Sequence, residues 1–183
     1  MPTAHLISGL PCSGKTTYAV GLRSETNSVL FSLDRWLITS FGKYSIAEIG
    51  HEEHVRRVLA CRALIWDAAS EFLRRGSDVI LDDGFFLRDN RMRYVQLARE
   101  VGARTKIHFL DAPVSHLRVR LEQRNAQLPH YNFHIAPDTF EGFLSLFEVP
   151  SEGEGAKLVV VRSVEPSPIR PPLPGGPFVD PAA

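Results

Sequence analysis

Sulfur is scarce in this chain of 183 residues: two cysteines and two methionines. Cys12 and Cys61 stand in unlike contexts without a pairing pattern, so no disulfide framework is written here. Excess charge is missing too. Lys+Arg number 21 against Asp+Glu 21, a formal charge of zero, which supplies no general field to attract nucleic acid or anionic lipid. Any polyanion site must therefore be a local cluster. No apolar run approaches the length of a membrane span, and no signal-peptide pattern precedes the first strand-like segment. The expectation is a soluble protein of a reducing, cytoplasmic setting. Lysine is rare beside arginine, which reads first as genomic base composition and weakens any argument from a single arginine. Internal repeats are absent.

What is present is 44% hydrophobic content, enough for a real core at this length. Apolar runs of strand length recur at about 3–7, 28–33, 78–83, 105–110 and 157–161, with helix-like stretches between them. That alternation predicts an α/β fold, with a parallel sheet covered on both faces. The clearest helix spans His51 to Arg75. Val58, Ile65 and Phe72 recur at sevens, Val55, Leu59, Ala63, Trp66, Ala69 and Leu73 widen the stripe, and Gly76 ends it. A second helix is expected from Asp89 as N-cap to Gly102, and a third after Asp111 and Pro113. Beyond Val161 the density of Pro and Gly predicts an extended tail, giving a domain of residues 1–165 and a tail of 166–183.

Between the first strand and the following helix stands Gly9-Leu10-Pro11-Cys12-Ser13-Gly14-Lys15-Thr16, which matches G-x-x-x-x-G-K-[ST]. Four fixed positions match by chance in fewer than about one in a hundred chains of this length. Glycines let such a loop wrap with its N–H groups inward, and the helix N-terminus adds partial positive charge, making an anion cradle. Gly9, Pro11, Cys12, Ser13, Gly14, Lys15, Thr16 and Thr17 are the expected phosphate contacts. Lys15 would reach the terminal phosphates of ATP, and the Thr16 hydroxyl would ligate Mg²⁺. The guanine-reading [NT]-K-x-D signature is absent, and 183 residues leave no room for the helical lid domain of ring-forming ATPases. A small phosphotransferase or a non-catalytic nucleotide binder remains.

Ligands of an open parallel sheet collect beyond the carboxyl ends of its strands. Asp34 follows the second run, Asp82 and Asp83 close the third, and Asp111 follows the fourth. Carboxylates gathered beside a triphosphate make sense if they hold Mg²⁺ or take a proton from an acceptor hydroxyl. Asp34 is the expected base, a role compatible with capping a helix. Asp82 or Asp83 is expected to position Mg²⁺, with an Asp-Gly turn as the plainer alternative. Asp111 reads mainly as a helix cap. In "DAPVSHLRVRLEQRN" the stripe Val114, Leu117, Leu121 continues onto Arg124, with Arg120 one turn before it. A desolvated arginine needs an anion, so both are expected to clamp the transferring phosphoryl group unless they snorkel to solvent. "HEEH" at 51–54 lacks the i, i+4 spacing and third ligand of a zinc site. Trp36, Phe41, Tyr44, Phe85 and Phe86 are expected near the acceptor, as stacking surfaces or as core.

From about His5 to Phe147 the chain resembles the small P-loop kinases grouped as an AAA-type ATPase family, related to phage polynucleotide kinase, chloramphenicol phosphotransferase and zeta toxins. "GLPCSGKTT", "LDRW", "DVILDDGFFLRDNRMRYVQLAREVGA" and "FLDAPVSHLRVRLEQRN" carry the resemblance. It implies a three-layer fold with five parallel strands in the adenylate-kinase-like order 2-3-1-4-5, and ATP-dependent phosphorylation of a hydroxyl. It also implies that Asp34 is the general base, Asp83 the second acid, and Arg124 the arginine of a short lid over about 123–135. The polynucleotide kinase pattern R-D-D-x-R is broken, because Leu33 and Leu37 replace both arginines. A small-molecule acceptor is therefore expected rather than nucleic acid. The alternatives are a polynucleotide 5′-hydroxyl kinase and a non-enzymatic ATP-binding module.

Overall fold

The structure, a computed structural model, describes residues 1–162; the expected tail of 166–183 lies outside them. Five strands, β1 (Thr3–Ser8), β2 (Val29–Ser32), β3 (Val79–Gly84), β4 (Arg104–Asp111) and β5 (Lys157–Arg162), form one sheet in the order β2-β3-β1-β4-β5. All four pairings are parallel, so every connection must cross over a face of the sheet. Helices α1 (Lys15–Thr26), α2 (Leu33–Phe41), α3 (Ile46–Ile49), α4 (His51–Arg74), α5 (Arg88–Glu100), α6 (Val114–Ala126) and α7 (Pro137–Leu146) supply those crossings and the rim above the strands. This is the expected three-layer arrangement.

Strand alternation divides the core. Ala4, Leu6, Val79, Leu81 and Ile107 point to the face covered by α4 and α5. Ile7, Ile80 and Leu110 point to the other face, where Ala19 of α1 meets them. The face under α1 is not wholly apolar. His5 and His108, both buried, approach at 2.9 Å between Nδ1 and Nε2. The Tyr18 hydroxyl lies 2.8 Å from the other His108 nitrogen, and His5 Nε2 lies 3.7 Å from the Asp78 carboxylate.

The helices depart from expectation in instructive ways. Along α4 the buried residues are Cys61, Ile65, Ala69, Ser70 and Leu73, whereas Val55, Leu59 and Phe72 are 37%, 53% and 40% exposed. Cys61, Ile65, Ala69 and Leu73 recur at steps of four, not seven, each step turning about 40° around a helix of 3.6 residues per turn. Leu87, not Asp89, is the N-cap of α5, and Pro113, not Asp111, precedes α6; Asp111 ends β4. Helix α2 follows β2 with no linker, which hides the change of period inside one apolar run.

Candidate active site at the carboxyl ends of the strands

The loop from Gly9 to Gly14 is shaped by three left-handed or wide backbone angles, φ 150 at Gly9, 65 at Cys12 and 92 at Gly14. A Cβ on Gly9 would stand 2.8 Å from Ser13 Oγ and 3.0 Å from the Leu110 carbonyl, so only glycine fits. The buried Ser13 hydroxyl has no hydrogen-bond partner among the described residues. Lys15 lies folded over the loop, its Nζ donating to the Leu10 carbonyl at 2.8 Å. Burial lowers its pKa, while Asp82 and Asp34 oppose the shift.

Adjacent acids of β3 part company because strand residues alternate. Asp82, on the α1 face, accepts the Thr16 hydroxyl at 2.8 Å. Asp83, on the opposite face, accepts both Nε and Nη2 of Arg62 from α4 at 2.7 and 2.6 Å. Burial pushes both carboxyls up; Lys15 and Thr16 resist it at Asp82, and Arg62 resists it at Asp83. Past them the chain makes a tight turn, φ 92 at Gly84 and φ 43 at Phe85. A non-glycine residue held there costs of order 1–3 kcal/mol, so the surroundings must impose it.

Asp34 sits in the first turn of α2. One side is open to solvent and the rest is walled by protein; that burial, with Asp82 beside it, pushes its carboxyl up to about 6 against the pull of Lys15 and Arg124. The same few groups thus act on one another across the cleft. Arg124 donates from Nη2 to the Phe133 carbonyl at 3.4 Å, and its buried Nε has no partner among the described residues. Arg120 reaches the Cys12 carbonyl at 3.5 Å. Burial holds the Cys12 thiol above its ordinary value even though Arg124, Lys15 and Arg120 stand near it.

Near Asp34, which acts on the Tyr44 hydroxyl, stands a wall built from α2, the 42–45 connection, α4 and residues 127–136. Tyr44 meets Phe133 at 4.9 Å between ring centroids and shares its hydroxyl with His54 at 3.3 Å. Arg57, paired with Glu53, lies 4.8 Å from both the Phe41 and Tyr44 rings. Arg35 stands 5.0 Å over Tyr131, and Lys43 donates to the Pro129 carbonyl at 3.1 Å. Asn125 closes the base of 127–136 through two hydrogen bonds to Ile135, at 2.7 and 3.3 Å.

The sequence-predicted residues therefore divide. Lys15, Thr16, Asp34, Asp82, Arg120 and Arg124 converge, whereas Asp83, though within electrostatic reach of Lys15 and Asp34, is paired with Arg62. Thr17 is an exposed helix residue beside the loop. Of the expected aromatic cluster, Tyr44 and Phe41 line the wall, Trp36 packs near Phe31, and Phe86 stacks on Phe143. Phe85 is fully buried core, with its ring edge-on to Tyr94. Sequence reasoning missed Arg62 and the fully buried pair Arg91–Glu154. Both arginines interrupt apolar helical stripes, the signal that singled out Arg124.

Comparison with known proteins agrees with this geometry. The family model described as an AAA domain matches residues 5–150. No curated protein matches the chain. Among solved structures, a protein from Chloroflexus aurantiacus assigned as a kinase is similar at TM-score 0.70 and 21% identity, over 88% of this chain and 85% of that one. Kti12 of Chaetomium thermophilum, in complex with ADP-AlF3, is similar at 0.64 and 18%, over 87% and 88%. A gluconokinase from Sinorhizobium meliloti is similar at 0.61 and 18%, over 90% and 85%. At such identities the likeness establishes the fold, that of P-loop kinases.

Proposed function

The chain belongs to the AAA domain family through residues 5–150, and from that premise we propose that it is an ATP-dependent kinase transferring the γ-phosphate to a hydroxyl of a small molecule. One observation carries the reading. Asp34, a carboxyl pushed up to about 6, shares a cleft with the loop lysine and with an arginine whose buried Nε lacks a partner among the described residues. A nucleotide binder that performs no transfer needs the loop; it has no use for a raised carboxyl facing it.

The residues fit the groups they would serve. Ser13 Oγ and Arg124 Nε are buried polar atoms without an acceptor among the described residues, one that phosphate oxygens would provide. Thr16 and Asp82 offer neighbouring hard oxygens, the donor type Mg²⁺ takes, so Asp82 is the acid for the metal and Asp83 is not. Mg²⁺, when bound, neutralises charge on the β- and γ-phosphates. Asp34 orients the acceptor hydroxyl and takes its proton as the oxygen attacks in line. Lys15, released from Leu10, and Arg124, with Arg120, hold the transferring group as charge spreads over its oxygens. Residues 123–135 act as the lid, excluding water and bringing Arg124 to bear.

Leu33 and Leu37, where polynucleotide kinase carries arginines, are buried in the core, which supports a small acceptor over a 5′-hydroxyl nucleic acid. The test is ATP consumption across hydroxylated metabolites, nucleosides and antibiotics, with mass detection of an added phosphate. A hit lost in Asp34→Asn with ATP binding retained is the expected result. Labelling of a 5′-hydroxyl oligonucleotide instead would establish the nucleic-acid reading.

A further inference from the structure

The turn after β3 is held by a device that the reaction chemistry does not call for. Arg91, on the inner face of α5, has no exposed surface, and neither has the side chain of Glu154, with which it pairs through two hydrogen bonds of 2.6 and 2.8 Å. The remaining guanidinium nitrogen, Nη1, shares its two N–H groups among three backbone carbonyls, those of Phe85, Phe86 and Glu148, at 3.0, 3.1 and 2.9 Å. Glu154 is fixed in turn by Ser151 N–H at 3.0 Å. One buried ion pair therefore stitches the segment after β3 to the segment before β5.

The stitched point is the one under conformational strain. Phe85 is a non-glycine residue at φ 43, directly after Gly84 at φ 92. Its carbonyl accepts from Arg91 and also from the Ser8 hydroxyl at 3.1 Å. The Gly84 carbonyl accepts from the Gly9 N–H at 3.1 Å, so the same turn fixes the first residue of the phosphate loop. Between these anchors the register slips: Ile7 faces Asp82, Ser8 faces Gly84, and Asp83 is the extra residue of a bulge. The bulge sits immediately after the acid that meets Thr16, and bulges re-aim the side chains beside them.

We propose that Arg91, with Glu154 behind it and Ser8 opposite, is the positioning residue that keeps Asp82 aimed at Thr16 by pinning the Phe85 carbonyl. Arg91 touches neither nucleotide nor acceptor and acts through the backbone of residues 84–86. This rests on the reading of Thr16 and Asp82 as the Mg²⁺ pair. It adds that their alignment is set from a site on the opposite face of the sheet. Lysine at 91 keeps the charge for Glu154 but cannot serve three carbonyls and a carboxylate from one rigid plane.

The test measures ADP affinity by calorimetry with and without magnesium chloride, on the full chain, beside melting temperature. For Arg91→Lys, metal-free ADP affinity should stay within about twofold of wild type, while the gain on adding Mg²⁺ falls by about tenfold, the low end for disturbed outer-sphere partners. Ser8→Ala should shift the same quantity in the same direction by a smaller factor, and it keeps the proposal testable if Arg91→Lys does not fold. Lowered melting temperature with an undiminished Mg²⁺ gain in a folded Arg91→Lys, or failing that in Ser8→Ala, makes the pair merely structural and overturns the proposal. A wild-type protein whose ADP affinity ignores Mg²⁺ overturns the metal pair itself, and this inference with it.

Discussion

The phosphate side and the acceptor side of the cleft are built on different principles. On the phosphate side, residues 9–16 carry nearly everything, and the backbone does the work: left-handed angles at Cys12 and Gly14, an excluded Cβ at Gly9, and the start of α1. The proposed acceptor side is assembled from α2, the 42–45 connection, α4 and residues 127–136, and side chains distant in sequence close it, Lys43 on Pro129 and Tyr44 on Phe133. A backbone cradle binds one chemical class in any protein that makes it. A side-chain wall can change its occupant residue by residue, which is why the first points to a phosphate and the second does not identify the proposed acceptor.

The comparison breaks most sharply at Asp34. Asp34→Asn should lower kcat by about 10²–10⁴, the usual worth of a positioned base, with ADP affinity unchanged. The same change should raise the melting temperature at pH 8. A carboxyl whose folded pKa is raised loses stability as pH climbs from 3.8 through about 6, and the amide carries no such charge. Equal loss of binding and turnover would move Asp34 to the phosphate side. Arg124→Ala comes next, with kcat expected to fall about 10²-fold and nucleotide affinity by less, read from steady-state rates against direct binding.

Smaller effects sharpen the boundary. In wild type, kcat/KM, which reports the free enzyme, should decline about tenfold per unit below pH 6 as Asp34 takes up its proton. A pH profile flat from 5 to 8 would remove Asp34 as the base. Tyr44→Ala removes the ring contact with Phe133, worth roughly 0.5–1.5 kcal/mol, so the KM for the acceptor should rise by up to about tenfold while that for ATP stays put. A matching rise in both would mean the two sides are one unit.

The same division governs what could be read from the sequence. The strands lay open because buried parallel strands are continuous apolar runs, and the loop because its spacing is fixed by backbone mechanics. Asp34, Asp82, Arg120 and Arg124 were legible as polar residues at strand ends or in an apolar stripe. Asp82 could not be told from Asp83, since that choice rests on which face each occupies, and the partner Arg62 lies 21 residues away. Helix α2 was hidden by its direct junction with β2. The Arg91–Glu154 pair joins residues 63 apart and leaves no local trace beyond an arginine in an inward stripe.

The seam of Tyr18, His108, His5 and Asp78 has a sense as well as a place. The Asp78 carboxylate, 3.7 Å from His5 Nε2, favours the proton on that nitrogen; with it there, His5 Nδ1 accepts from His108, which in turn accepts from the phenol. In that tautomer the hydrogens run one way, from the helix that begins at the nucleotide loop toward the far end of the sheet. Neutralising the acid at position 78 would remove that bias and free the Tyr18 hydroxyl on α1 to turn.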